Sequence, residues 1–199
     1  MKYFNCFYPK NGNLSRLLGI RKGYNSRAQL IKKITGNMSG KHVIDIGCGD
    51  GSLLVDIIQG TPSTVTLIDS SERFLQIARE NESLQVLNPT YICTNGFHYK
   101  WKNPSLVLMI GVLDYSQNWI NDLNDLLVQE FSGKLIFSLP VKDNWSFRFI
   151  IRRLWLRLWG IKLQSCTYSD LNKLMHQVEV KFLAVRCEYD WIINVEDIY

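Results

Sequence analysis

Residues 43–51 read Val-Ile-Asp-Ile-Gly-Cys-Gly-Asp-Gly, a short and mostly β-branched run followed by three glycines at alternate positions. The run predicts a buried strand, and the spacing of apolar residues after Gly51 predicts a helix. Glycine accepts a positive φ and has no Cβ, so a turn built from it can approach a ligand closely. The start of the helix would point N–H groups toward the same place. The stretch therefore predicts a ligand-binding turn between a strand and a helix.

Strand-like and helix-like patterns alternate along most of the chain. The predicted strands are 42–46, 64–68, 90–94, 105–110, 134–139, 178–187 and 188–195. The predicted helices are 52–59, one capped by Ser70 or Ser71, 119–131, 144–159 and 168–177, the last opened by a capping box at Thr167–Asp170. This alternation predicts an α/β fold, a doubly wound and mainly parallel seven-stranded sheet covered by helices on both faces. The last two strands predict an antiparallel hairpin at the sheet edge.

Charge is distributed unevenly over the 199 residues, whose net charge is +5. Residues 1–44 contain nine Lys and Arg and no acid, and residues 144–169 contain five and no acid. This asymmetry predicts either an anionic partner (a phosphate ester, a nucleic acid or a membrane surface) or a solvated basic face.

The five cysteines are scattered and form no CxxC pair. That spacing argues against a disulfide framework or a zinc site, so we expect no metal centre and a reducing, cytoplasmic location. The opening residues lack a signal-peptide pattern, and no apolar run approaches the roughly 18 residues that a membrane span needs.

Asp69 follows the second predicted strand, and ligands of open α/β sheets bind at the carboxyl ends of the strands. An acid at this position can accept hydrogen bonds from both ribose hydroxyls of a nucleoside. A P-loop is excluded because no Lys-Ser/Thr pair follows the glycines, and the dinucleotide fingerprint fails because Ser52 occupies its third glycine position. A glycine turn with Asp45 before it suits a nucleoside cofactor without a pyrophosphate, such as S-adenosylmethionine (SAM).

The same turn resembles the first motif of the class I SAM-dependent methyltransferases, and Leu67-Ile-Asp69-Ser-Ser resembles their second motif. The resemblance continues through 91–96, 109–115 and 133–140, and it covers about residues 25–195. Gly111-Val-Leu-Asp-Tyr115 is similar to the subgroup that methylates small molecules on oxygen or nitrogen. The resemblance implies methyl transfer from SAM to a small or medium acceptor, and the basic segments suit an anionic one.

The resemblance also implies roles for individual residues around the cofactor. Asp45 would hold the amino end of SAM, and Asp69 its ribose. The remaining cofactor-binding residues would be Gly47, Cys48 and Gly49 under the methionyl part, Ser70, Asn95 and Gly96 around the adenine, and Ile110 beside the sulfonium. Tyr24 and Arg27 lie where such enzymes close over SAM. The family's Gly-Phe before the sixth strand is missing at Gln177-Val178.

Three residues that follow the third and fourth strands are candidates for catalysis. A hydroxyl acceptor benefits from a general base, and His98, Asp114 and Tyr115 are the candidates near the cofactor. Each has a structural alternative: His98 as a solvated loop residue, Asp114 as the cap of the next helix, and Tyr115 as a buried ring.

The segment Trp145–Trp159 has an apolar helical face opposite four arginines. The apolar face consists of Phe147, Ile150, Ile151, Leu154 and Leu158. Three interpretations stay open: a lid helix packed on the sheet, a lid that binds an acidic or phosphorylated acceptor, and an interfacial helix on a membrane surface.

The sequence predicts a single domain, 1–199. Its parts are a basic helical N-terminal segment (1–41), a SAM-binding core (42–140), a helical lid (141–177) and a C-terminal hairpin (178–199). The partner is expected to be a small-molecule, lipid or phosphate-bearing acceptor. Nucleic acid is not favoured, because a Pro-Cys loop and an Asn/Asp-Pro-Pro-aromatic motif are both missing after the fourth strand. The alternatives are a non-catalytic SAM-binding regulatory protein and an RNA methyltransferase.

Overall fold

The computed structural model describes residues 20–129, 133–142, 162–177, 179–188 and 190–196, with Ile150, Leu154 and Arg157 between them. The strands in this part of the chain are β1 (His42–Ile46), β2 (Thr64–Asp69), β3 (Thr90–Cys93), β4 (Leu106–Met109), β5 (Lys134–Pro140), β6 (Phe182–Cys187) and β7 (Asp190–Glu196). The helices are α1 (Ile20–Thr35), α2 (Ser52–Ile57), α3 (Glu72–Arg79), α4 (Glu82–Gln85), α5 (Trp119–Leu127) and α6 (Tyr168–Gln177). Two 3₁₀ turns span Gly96–His98 and Leu113–Tyr115.

The strands form one seven-stranded sheet in the order β3-β2-β1-β4-β5-β7-β6. Strands β1 to β5 are parallel to one another, and β7 runs antiparallel to both β5 and β6. The predicted doubly wound, mainly parallel fold and its antiparallel C-terminal hairpin are therefore confirmed. The carboxyl ends of β1 to β5 and the start of β7 share one edge of the sheet.

The sheet buries apolar side chains on both faces, which is why its strands read as continuous apolar runs. Successive residues of a strand point to opposite faces, so Val43 and Ile44 of β1 belong to different core clusters. Helices α1, α2 and α3 cover the face of Val43, and helices α5 and α6 cover the face of Ile44.

Several predicted boundaries are wrong, each for a local reason. The helix predicted over 119–131 ends at Leu127, because Leu127 is its last buried residue and Val128 is 70% exposed. The strand predicted over 178–187 begins at Phe182. Glu179 has a φ of 56°, and hydrogen bonds from Glu179 N to His176 O and from Val180 N to Met175 O end helix α6 before it.

Two residues of the predicted apolar face of the segment Trp145–Trp159 lie in the part of the chain that the structure describes. These residues, Ile150 and Leu154, are 38% and 57% exposed. Arg157 is also described, whereas the other residues of that segment, and residues 1–19 of the basic N-terminal segment, lie outside the described residues. Within the described ranges, no helix has the length and apolar content needed to cross a bilayer. Four cysteines of this part of the chain are free thiols, and Cys6 lies outside it.

Candidate cofactor site

Backbone hydrogen bonds join the glycine turn after β1 to the end of β2. The N–H groups of Gly47 and Cys48 both donate to the carbonyl of Ile68, at 2.7 and 3.1 Å. Gly47, Gly49 and Gly51 have φ values of 67°, 57° and 73°, a conformation that residues with a Cβ rarely adopt. The turn is therefore held in a single shape over the sheet edge.

The three glycines of the turn have different surroundings. A Cβ on Gly47 would overlap Val112 Cγ2, and a Cβ on Gly51 would overlap Leu84 Cδ1. A Cβ on Gly49 would meet no heavy atom within 4 Å. Gly49 alone of the three faces open space, so it is the place where a bound molecule can lie against the backbone.

Asp69 ends β2 and connects it to both neighbouring loops. Its Oδ2 accepts a hydrogen bond from Gly49 N at 2.9 Å, and its Oδ1 accepts one from Ser71 N at 2.8 Å. A carboxylate group offers about four lone-pair positions, so Asp69 can accept a further hydrogen bond beside those from the backbone. Burial raises the pKa of Asp69, and the backbone hydrogen bonds from Ser71, Gly49 and Ser70 oppose that rise.

Asp45 is buried in β1 behind the turn, with 3% of its surface exposed. Burial, followed by the negative charge of Asp69, raises the pKa of Asp45 to about 8. Burial also raises the pKa of the Cys48 thiol, and the negative charges of Asp45 and Asp69 raise it further. Cys48 is thus a buried, protonated filler of the turn. Among the described residues, no three His, Cys, Asp or Glu side chains cluster as metal ligands would.

A backbone hydrogen bond to Asp69 holds the loop after β3 at the same edge of the sheet. Thr94 N donates to the Asp69 carbonyl at 3.1 Å, and Asn95 Oδ1 accepts a hydrogen bond from Phe97 N at 3.2 Å. Gly96 lies directly against β1, since a Cβ there would overlap Ile46 Cγ2. The residues predicted around an adenine therefore follow Asp69 at the edge of the sheet.

The catalytic candidates differ in exposure. His98 is exposed at the end of the first 3₁₀ turn, Tyr115 is half-buried in the second, and Asp114 is 1% exposed. The residue at the N-cap position of α5 is Asn118, four residues after Asp114. The carbonyl of Asp114 accepts a hydrogen bond from Gln164 N at 2.9 Å, which joins the turn to the segment before α6.

A family model described as a methyltransferase domain matches residues 37–95, which contain β1, the glycine turn, β2 and β3. Over 56 residues the chain is 39% identical to the ubiquinone biosynthesis O-methyltransferase of Coxiella burnetii, a match that covers 28% of this chain. The chain spans about a quarter (24%) of the length of that relative.

Solved structures match over nearly the whole chain. Magnesium protoporphyrin IX methyltransferase from Synechocystis PCC 6803, with bound S-adenosylhomocysteine (SAH), has a TM-score of 0.73 at 19% identity, over 98% of this chain and 96% of its own. The pyocyanin biosynthetic protein PhzM has a TM-score of 0.68 at 16% identity, over 98% and 60%. The chain shares its fold with these methyltransferases, and its residues 37–95 match a methyltransferase domain. For this methyltransferase fold, the open face of Gly49 and the unused lone pairs of Asp69 are features that fit a nucleoside cofactor.

Residues that sequence reasoning missed also shape the edge of this methyltransferase fold. Ser138 is fully buried in β5, and its Oγ accepts a hydrogen bond from Gly111 N at 2.8 Å. The sequence signal for Ser138 was its hydroxyl group, which stands alone in the apolar run of β5. Val112 packs on Gly47, and Asp190 pairs with Arg27. Neither contact leaves a local pattern, because the partners come from distant parts of the chain. Tyr24, expected near SAM, donates from its hydroxyl to Asp56 Oδ2 at 2.7 Å.

Proposed function

We propose that this protein binds SAM and transfers its methyl group to an oxygen or nitrogen of a small acceptor. The observation that carries the proposal is the contact between Asp69 and Gly49 at the carboxyl edge of the sheet. It combines an acid with free acceptor capacity and a glycine backbone with an open face. These are what a ribose and the chain attached to it require.

Different residues around this contact would bind different parts of the cofactor. Asp69 would accept hydrogen bonds from the ribose hydroxyls, with Ser70, Asn95 and Gly96 around the adenine. The methionyl part would lie on Gly47, Cys48 and Gly49, with its ammonium group toward Asp45 and its sulfonium near Ile110. An ammonium group near Asp45 would favour the charged carboxylate and lower its pKa from the value of about 8.

When bound, SAM supplies an activated methyl group on a sulfonium. Transfer from a sulfonium is an in-line displacement, so the protein's main contribution is to hold the two reactants in line in a dry pocket. A hydroxyl acceptor gains further from a base, for which His98, Asp114 and Tyr115 are our candidates. The exposure of His98 and the partial exposure of Tyr115 support them as groups that reach an acceptor, whereas the burial of Asp114 supports a role within its turn.

The names of the relatives support a small-molecule acceptor, and the basic segments of the sequence support an anionic one. We keep the membrane-surface and phosphate-bearing alternatives as predictions, since they rest on the uneven charge alone. Cytoplasmic location also stays a prediction from the cysteines.

The test is calorimetry with SAM and SAH, followed by a labelled-methyl assay against phenols, carboxylic acids, amines and tRNA. We expect binding of both ligands and transfer to a member of the small-molecule set. Absence of SAM and SAH binding would overturn the proposal. Binding without transfer to any acceptor would favour a regulatory protein. Transfer to tRNA alone, with binding that weakens steeply with salt, would favour the RNA methyltransferase.

A further inference from the structure

An ion pair joins helix α1 to strand β7 at the functional edge of the sheet. Arg27 Nη1 lies 3.1 Å from Asp190 Oδ2, and the two side chains are 23% and 11% exposed. Asp190 begins β7 and pairs with Pro140 at the end of β5. The pair therefore lies at the edge where the parallel strands end, although the two residues are 163 positions apart.

The guanidinium group of Arg27 lies opposite the backbone that follows β4. A Cβ built on Gly111 would have Arg27 Nη1, 4.0 Å away, as its nearest non-adjacent heavy atom. Gly111 has a φ of 72°, and its N–H group is fixed by Ser138 Oγ. The backbone of Gly111 thus faces the guanidinium group of Arg27 with no other side chain in between.

Arg27 retains hydrogen-bonding capacity in this position. Its Nε is buried and has no hydrogen-bond partner among the described residues. Buried donors normally have a partner, so this N–H group indicates a place for an acceptor atom. The guanidinium fork matches a carboxylate or phosphate through two parallel hydrogen bonds, and Asp190 engages only one nitrogen of that fork.

The order of the strands separates this cation from the glycine turn and from the residues predicted to bind the ribose and the adenine. The glycine turn, Asp69 and Asn95 follow β1, β2 and β3, which lie to one side of β4 in the sheet. Arg27 and Asp190 lie on the other side, at the ends of β4, β5 and β7. An acceptor must approach the methyl group from the side opposite the leaving sulfur, because the displacement is in line. We therefore expect the acceptor on the β5 and β7 side of the predicted cofactor residues.

We propose that Arg27 binds an anionic group, a carboxylate or a phosphate monoester, of the methyl acceptor. Asp190 is the positioning residue that holds the guanidinium group over Gly111. This inference rests on the proposed function and assigns to Arg27 an acceptor role in place of the cofactor role that its sequence position implied.

The test uses two phenol probes that differ in a single anionic group, 3,4-dihydroxybenzoate and 3,4-dihydroxybenzyl alcohol. Each is titrated into the full-length protein saturated with SAH. We expect the wild type to bind the benzoate about tenfold more tightly than the alcohol, as a bidentate charged contact provides. Arg27→Gln should remove most of that preference and leave SAH affinity unchanged. Arg27→Lys should keep only part of it, because lysine lacks the fork. Arg79→Gln, which breaks an arginine–carboxylate pair on α3, is the matched control and should retain the preference.

Asp190 is tested with the same probes. Simple charge removal predicts that Asp190→Ala binds the benzoate more tightly, whereas a positioning role predicts weaker binding and recovery in Asp190→Glu. Thermal unfolding of each variant checks the fold, and Arg27→Lys provides the result if Arg27→Gln does not fold.

The outcomes separate the two proposals. A wild type that does not bind SAH contradicts the proposed function. SAH binding with equal or no binding of the two probes contradicts the Arg27 inference alone. An Arg27→Gln variant that loses SAH affinity and keeps the preference assigns Arg27 to the cofactor, and tighter benzoate binding in Asp190→Ala removes the positioning role.

Discussion

The carboxylate of Asp69 and the backbone N–H group of Gly49 are joined by a 2.9 Å hydrogen bond. The acid after β2 therefore fixes the glycine turn after β1, in addition to facing the place where a ribose would bind. A residue that both orients a binding loop and contacts the ligand has a larger effect on affinity than its direct contacts alone.

Asp69→Ala should weaken SAH binding by about 30-fold or more, because hydrogen bonds to a charged group contribute about 1.5–3 kcal/mol each. Calorimetry measures the affinity, and circular dichroism confirms the fold. Asp56→Ala is the matched control, since it removes an exposed carboxylate of α2 that contacts Tyr24. A loss of threefold or less in Asp69→Ala, or an equal loss in the control, would contradict this role.

Gly47→Ala should destabilise the protein by about 2–4 kcal/mol, from overpacking against Val112 and from a Cβ at positive φ. Adding Val112→Ala removes the overlapping methyl group, so the double variant should recover part of the loss relative to the sum of the single variants. Urea unfolding measures all four proteins. Strict additivity would show that the contact with Val112 is not what requires glycine.

Gly49→Ala should behave differently from Gly47→Ala. The new methyl group meets no protein atom, so the cost in stability is limited to the strain of a positive φ, about 1–2 kcal/mol. It enters the open space where SAM would lie, and SAH binding should fall about tenfold or more. Unchanged SAH affinity in a folded Gly49→Ala variant would place the cofactor elsewhere.

The pKa of about 8 at Asp45 makes a prediction about pH. An unfolded aspartate titrates near 3.9, so between about pH 4 and 8 the native state holds a proton that the unfolded state has lost. Stability from this residue therefore falls as the pH rises through that window, by at most about 1.4 kcal/mol per pH unit. The substitution Asp45→Asn should remove this pH dependence of the free energy of unfolding.

Urea unfolding at pH 5.5 and 7.5 tests this. The wild type should lose about 2 kcal/mol relative to Asp45→Asn between the two values. Asp56→Asn is the control, and it should retain the pH dependence of the wild type. A wild type and an Asp45→Asn variant with parallel pH profiles would show that Asp45 keeps an ordinary pKa.

Thr167→Ala should lower the free energy of unfolding by about 1 kcal/mol. Thr167 N donates to Asp170 Oδ2 at 2.9 Å, and Asp170 N donates to Thr167 Oγ1 at 3.1 Å, so the two side chains cap α6 reciprocally. Ser169→Ala, on the exposed first turn of the same helix, is the control and should change little. Equal effects of the two substitutions would argue against the cap.

The features that the sequence predicts correctly are those that depend on neighbours along the chain. The capping box at Thr167 and the strand at residues 42–46 each follow from a few adjacent residues, and both are observed. The left-handed turn at Glu179 was missed because its residue is neither glycine nor asparagine. The packing of Val112 on Gly47 and the pairing of Arg27 with Asp190 were missed because tertiary contacts create them. The sequence thus predicts which residues border the site, and the fold decides which of them meet.

The antiparallel direction of β7 has a consequence for the newly made chain. Because β7 runs against β5, its first residue, Asp190, lies at the edge that β5 reaches with its last. A nascent chain can form the glycine turn and its contact with Asp69 once β2 has emerged from the ribosome. It cannot fix Arg27 beside Gly111 until residue 190 has been added and β7 has paired. The β1–β2 half of this edge is thus held by a contact across 20 positions, and the Arg27 half by one across 163 positions.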